Sequence, residues 1–185
     1  MRTIEIRHSA GVALVVAVLV TSLLVPPACA GDDPDGRILK VGTFDSRCVA
    51  FAYGRTKGEC SFFAQVQQLK RDYAAAERAG DTEKMAALQE QGESLQHEMH
   101  LKVFCAAPID DILTLVQDEI PQAAEAAGVD LIVGEVLYQG PAVEIVDVTE
   151  EMAKLFTTDP EVIGALAEIQ AAPVADPAEL QEHRH

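Results

Sequence analysis

Basic residues are scarce in this sequence: 14 lysines and arginines stand against 30 aspartates and glutamates, for a formal net charge of -16. A surface that acidic repels phosphate backbones and anionic lipid headgroups, so nucleic acid is not an expected partner, and proteins, cations and neutral surfaces remain. Cysteine is sparse as well. The chain has four, none in a CxxC pair and none spaced to a histidine as structural zinc requires. HExxH is missing, and no apolar run reaches the roughly 20 residues of a membrane-spanning helix. With no catalytic constellation in view, neither an enzymatic reaction nor a cofactor is expected.

What is present begins with an export signal. Arg2 and Arg7 precede an apolar run of about 16 residues, 10–25, which ends in Pro26 and Pro27 and then Ala28-Cys29-Ala30, the small-x-small pattern a signal peptidase accepts. Cleavage after Ala30 leaves Gly31 first, in a periplasmic or otherwise extracytoplasmic protein with no membrane span. A rival reading makes Cys29 the lipidated residue of a tethered protein, but the two prolines sit where such signals carry Leu and a small residue. Once Cys29 is removed, Cys48, Cys60 and Cys105 remain. An odd number in an oxidising compartment forbids full internal pairing, and the sequence does not choose among the three pairs.

The mature chain fits one domain. A polar leader, 31–37, precedes an apolar, β-favouring stretch at 38–44; Asp45 or Ser46 can cap a following helix, which Gly54 and Gly58 weaken, and Thr56 with Glu59 offers a capping box for a restart. From Phe62 the apolar positions Phe62, Val66, Leu69, Tyr73 and Ala76 step by four and three residues, the stripe of an amphipathic helix. Gly80-Asp81 supplies a stop and a new cap. Met85, Leu88, Leu95 and Met99 then repeat the stripe with Gly92 in one position of it. Such a pattern predicts an antiparallel helical hairpin over about 56–105. Beyond Pro108, Ile109, Ile112, Leu113, Val116 and Ile120 read as one helix kinked by Pro121 and stopped at Gly128. Two strands, 129–133 and 143–148, a helix capped by Thr149 and another begun by Asp159-Pro160 follow. Residues 171–185 read as a disordered acidic tail.

That order of strand, helical hairpin, two strands and short helix, with Val129-Asp130-Leu131-Ile132-Val133, Val136-Leu137-Tyr138 and Val146-Asp147-Val148-Thr149 before Met152 and Leu155, resembles the Skp/OmpH family of periplasmic chaperones. The resemblance covers roughly 38–156 and implies an α+β fold, a small sheet body carrying a short antiparallel helical hairpin arm, within a domain of 38–170. It also implies a homo-oligomer, a trimer in the family, that holds unfolded or envelope proteins noncovalently and has no active site. Two departures stand out: the arms are short, and the acidity contrasts with the basic character of the family's best-known chaperone. Oligomerisation has a separate physical rationale, since three short strands make a poor core alone and pooling them between subunits buries more apolar surface. Val41, Leu131, Val133 and Ile145 are the expected oligomer core.

The remaining candidates each carry a plain reading beside the sharp one. Cys48 follows Asp45 by three residues and adjoins Arg47, a setting that can activate a thiolate, which makes an extracytoplasmic thiol-redox enzyme using Cys48 the alternative function; packing beside Val49 and Phe51 is the plainer role. Asp45 is expected to cap the helix, and Arg47 to form a surface ion pair. His97 and His100 lie one helical turn apart but lack a third ligand, and His183 and His185 fall in the tail. Phe63 sits off the hairpin stripe and is the candidate client contact.

Overall fold

The computed structural model describes residues 37–56 and 61–182. The signal, the leader up to residue 36, Glu59, Cys60, His183 and His185 lie outside the described residues. In chain order the elements are β1 (Leu39–Thr43), α1 (Ser46–Arg55), α2 (Phe62–Ala79), α3 (Thr82–Cys105), α4 (Asp110–Thr114), α5 (Ile120–Ala127), β2 (Leu131–Val133), β3 (Val143–Asp147), α6 (Thr149–Lys154), α7 (Pro160–Ala171) and α8 (Pro177–Glu182). The chain is therefore mixed helix and strand with a small sheet.

The sheet has the order β2-β1-β3, and both pairings are parallel. Val41 stands between Leu131 and Ile145, and Gly42 between Ile132 and Val146. Because side chains alternate faces along a strand, these two rows point opposite ways. The Gly42 row faces the helices: Ile132 and Val146 pack with Phe44, Val129 and Val148 against Val49, Ile112 and Met152. A Cβ on Gly42 would stand 3.0 Å from Val148 Cγ1 and 3.2 Å from Val129 Cγ2, so the close approach of these two valines requires glycine there. Each fully buried core side chain such as Ile112 or Met152 contributes about 1.5–3 kcal/mol by its transfer from water.

Helix α1 is the hub. It packs on α3, α6 and α7, and Cys48, Val49, Ala50 and Ala52 have no exposed surface. A helix buried on several sides needs apolar residues all round, and the small alanines let its neighbours come close. A second cluster, of Cys48, Ala52, Ala153, Val162 and Leu166, joins α1 to α7.

Helices α2 and α3 form a hairpin whose joint follows the sequence reading. Gly80 takes the left-handed conformation (φ 69°) that ends α2, and the Asp81 carboxylate caps α3 by accepting from Lys84 N. Asp159 and Pro160 likewise open α7 as expected. Four local expectations are corrected. The cap of α2 is Ser61, which accepts from Ala64 N, while Thr56 ends α1 and donates its hydroxyl to the Ala52 and Phe156 carbonyls. Pro121 does not kink a long helix: the chain turns over 115–119 and Pro121 opens α5, where its missing N–H costs nothing. Thr149 is the first residue of α6 and Val148 stands at its N-cap, with the Asp147 carboxylate accepting from Thr149 N. Downstream of α7, where a loose tail was expected, Ala175 N donates to Phe104 O and α8 packs on α3.

Candidate interaction surfaces

Val41, Leu131 and Ile145 form one cross-strand row, and Val133 lies in the next row on the same face with Thr43. All four residues expected in an oligomer core thus share the face of the sheet turned away from the helices. Val41 at the centre of the row is buried, Val133 and Ile145 are half-buried and Leu131 is exposed, and none of the four belongs to either core cluster. An all-parallel sheet ordinarily has both faces covered, because its strands are apolar on both sides. Among the described residues, the outer face carries the connection from β2 to β3, which crosses it to bring two strands to opposite sides of β1. Residues 134–139 of that connection, with Thr43 and Ile145, line a recess of about 460 Å³.

Apolar groups at this face project into solvent. Leu137 is 91% and Tyr138 83% exposed, Leu131 is 39% exposed, and Leu39 is also open. Arg37 bonds to Asp130 at the leading ends of β1 and β2, and Lys40 lies 3.7 Å from Glu144 on the opposite face of the sheet. From sequence, Leu137 and Tyr138 stand out only as part of the Val136-Leu137-Tyr138 motif. Two bulky apolar residues between Gly134 and Gly140, in a stretch with turn chemistry, were the signal available.

A second apolar surface runs along the hairpin. Phe62, Val66, Leu69 and Tyr73 of α2 face Leu88, Gly92 and Met99 of α3 across a groove of about 560 Å³, with Lys70, Gln89, Glu93, Gln96 and His100 at its rim. The stripe side chains named are only half-buried. Phe63, the expected client contact, is about half exposed and is not among the residues lining the groove.

The turn from β1 to α1 holds the polar cluster flagged by Asp45, Arg47 and Cys48. Asp45 caps α1 by accepting from Arg47 N at 2.9 Å. The Arg47 ion pair is buried and not on the surface. Its Nη2 donates to Asp45 Oδ2 at 2.6 Å, its Nε lies 3.1 Å from Asp45 Oδ1, and its Nη1 donates to Ala172 O at 2.8 Å. The side chain of Gln170 reaches Asp147 Oδ2 and Thr149 Oγ1 from the same direction. Burial works to raise the Asp147 carboxyl, and bonds from Thr149 and Gln170 outweigh it and hold the group below its usual value. The cluster clamps the end of α7 to the starts of α1 and α6.

Cys48 lies under this clamp with its Sγ 3.5 Å from Leu166 O. Burial first, and then the negative Asp45, push its thiol up to about 12, against the opposing pull of Arg47. A nucleophilic cysteine needs the reverse, a depressed value with access for its substrate. His100 meets Phe104 edge-on, with ring centroids 5.6 Å apart. No group of three or more His, Cys, Asp or Glu side chains is placed to hold a metal ion among the described residues. No helix among them is long and apolar enough to cross a membrane.

No protein-family model matches the chain, and no curated protein or solved structure was found to be similar to it.

Proposed function

We propose that this chain is an exported, OmpH-like binding protein that works without catalysis, assembling through the outer face of its sheet and using the helical hairpin as an arm that holds unfolded or envelope proteins. The observation that carries the reading is the one-sided cover of the parallel sheet. Val41, Leu131, Val133 and Ile145 occupy a single outer face, with Leu137 and Tyr138 projecting beside it. Val41 is already covered within the chain, so the apolar surface on offer comes from Leu131, Leu137 and Tyr138 with the half-buried Val133 and Ile145, and exposed apolar surface of this kind is what protein interfaces are made from. The hairpin adds an arm of about 27 Å in α2, at 1.5 Å per residue, whose own seam is left half-covered.

The alternative, a thiol-redox enzyme using Cys48, has its place in the first turn of α1 and the neighbouring Arg47 in its favour, but burial acts more strongly in the other direction. Light scattering with and without an unfolded membrane-protein client tests the proposal. An assembled protein that suppresses client aggregation supports it. A monomer that leaves the client to aggregate overturns it.

A further inference from the structure

Resting on the reading of the hairpin as the client-binding arm, we propose that the groove between α2 and α3 takes one basic, amphipathic helical segment of a client, which completes a three-helix bundle. Two antiparallel helices cannot enclose their own stripes, because each apolar face is wider than the single contact line the partner covers. The stripe residues Phe62, Val66, Leu69 and Tyr73 are accordingly only half-buried, and the one fully buried apolar residue of α2 is Ala76, near the tip. A third helix laid along the groove covers what the pair leaves open, as in other helix-in-groove complexes.

Gly92 sets the position of the opening. It occupies a stripe position in the middle of α3, and a Cβ placed on it meets nothing within 4 Å. Glycine inside a helix costs about 0.5–1 kcal/mol relative to alanine, and packing against α2 does not require it here. Its effect is to leave the floor of the groove open where an incoming side chain would be seated.

Charge selects the occupant. The hairpin, residues 62–105, is nearly balanced, with five basic and seven acidic residues, whereas residues 106–185 carry seventeen acidic and two basic ones. Lys102, the cation nearest the hairpin base on α3, is already bonded to Glu98 and Asp111 at 2.7 and 2.6 Å. The rim itself carries charges of both signs, Lys70 on α2 and Glu93 on α3, where Gln89 Nε2 donates to Glu93 Oε1 at 3.0 Å and holds that carboxylate beside the groove, so the choice of sign falls to the acidic body. A carboxylate has lone pairs to share with a lysine of an incoming helix. The field of the acidic body draws a basic segment and repels an acidic one.

The chain contains no tryptophan, so a peptide bearing one reports binding without background. The probe is a Lys/Leu amphipathic peptide of about 18 residues, the length of α2, with one Trp on its apolar face. Its controls are a Glu/Leu counterpart and a Lys/Leu peptide with the pattern scrambled. With the intact protein, the expected result is a blue shift saturating at one peptide per chain, and affinity weaker by about tenfold or more for both controls. Gly92→Leu fills the groove floor and should weaken binding by a similar factor with its far-UV circular dichroism unchanged, while Gly92→Ala retains most of it. Full-strength binding by folded Gly92→Leu, or equal binding of the Glu/Leu peptide, overturns the proposal. So does failure of every peptide alongside self-association that Gly92→Leu abolishes, because a second copy then fills the groove. Client aggregation, followed in parallel, separates the two readings: Gly92→Leu protein that loses the peptide but still protects client places client binding outside the groove, and wild-type protein that does neither overturns both.

Discussion

Replacing Arg47 with alanine removes the guanidinium that ties the start of α1 to the end of α7. Its side chain is 7% exposed and that of Asp45 20%. It donates to both oxygens of Asp45 and to the Ala172 carbonyl, with a longer contact of 3.5 Å to Gln170 O. Truncating one partner of a buried ion pair costs about 3–5 kcal/mol, because the other charge and its hydrogen-bond partners are left without compensation. Asp45 retains some contact with water, and its capping bond from the residue 47 N–H survives the substitution. The expected loss is therefore about 2–3 kcal/mol. With a urea dependence of about 1–3 kcal/mol per molar for a small domain, the midpoint should fall by about 0.7–3 M. The assay is urea unfolding followed by far-UV circular dichroism, with limited proteolysis to show whether 172–176 opens first. Arg47→Lys should recover part of the loss, since an ammonium cannot match the two-pronged contact. A midpoint unchanged by Arg47→Ala, with no new cleavage after α7, would refute the clamp.

The same core gives two further expectations. The Cys48 thiol is shifted from an ordinary value of 9.0 up to about 12, so the folded chain keeps its proton where the unfolded chain loses it. The stability it contributes is complete below about pH 9 and is lost as the pH rises through about 12, and comparison of Cys48→Ala with wild type in urea at pH 8 and pH 10.5 should show a shallower alkaline decline in the variant. Gly42→Val forces a side chain between Ile132 and Val146 against Val148 and Val129, and should cost about 1–3 kcal/mol or more in chemical denaturation. Stability within 0.5 kcal/mol of wild type would show that the sheet and helices are not packed as closely as described.

The hairpin was legible because period and punctuation agree: four and three residue steps, then Gly80-Asp81. Strand positions were legible from Val, Leu and Ile content, and the period of two puts Leu131 and Val133 on one face, but that Val41 and Ile145 join them follows from the register, which the sequence does not show. Strand direction was not legible, since nothing local distinguishes a parallel crossover of nine residues, 134–142, from a hairpin loop. Local rules misled where partners come from afar. Thr149 looks like a cap, but its hydroxyl accepts from Asp45 N at 3.0 Å, and Val148 takes the N-cap position of α6. Arg47 looks like a surface cation until α7, more than a hundred residues later, covers it. The tail looked loose by composition, but its backbone finds the end of α3 and the guanidinium of Arg47.

Sedimentation velocity of wild type and Leu131→Asp tests the central claim most directly. Leu131 is 39% exposed on the outer sheet face, so a carboxylate there can reach water in a single folded chain but would cost several kcal/mol when buried unpaired between copies. The account predicts an assembled wild type and a monomeric Leu131→Asp protein with unchanged circular dichroism. A wild type that sediments as a monomer, or a Leu131→Asp variant that stays assembled, contradicts it.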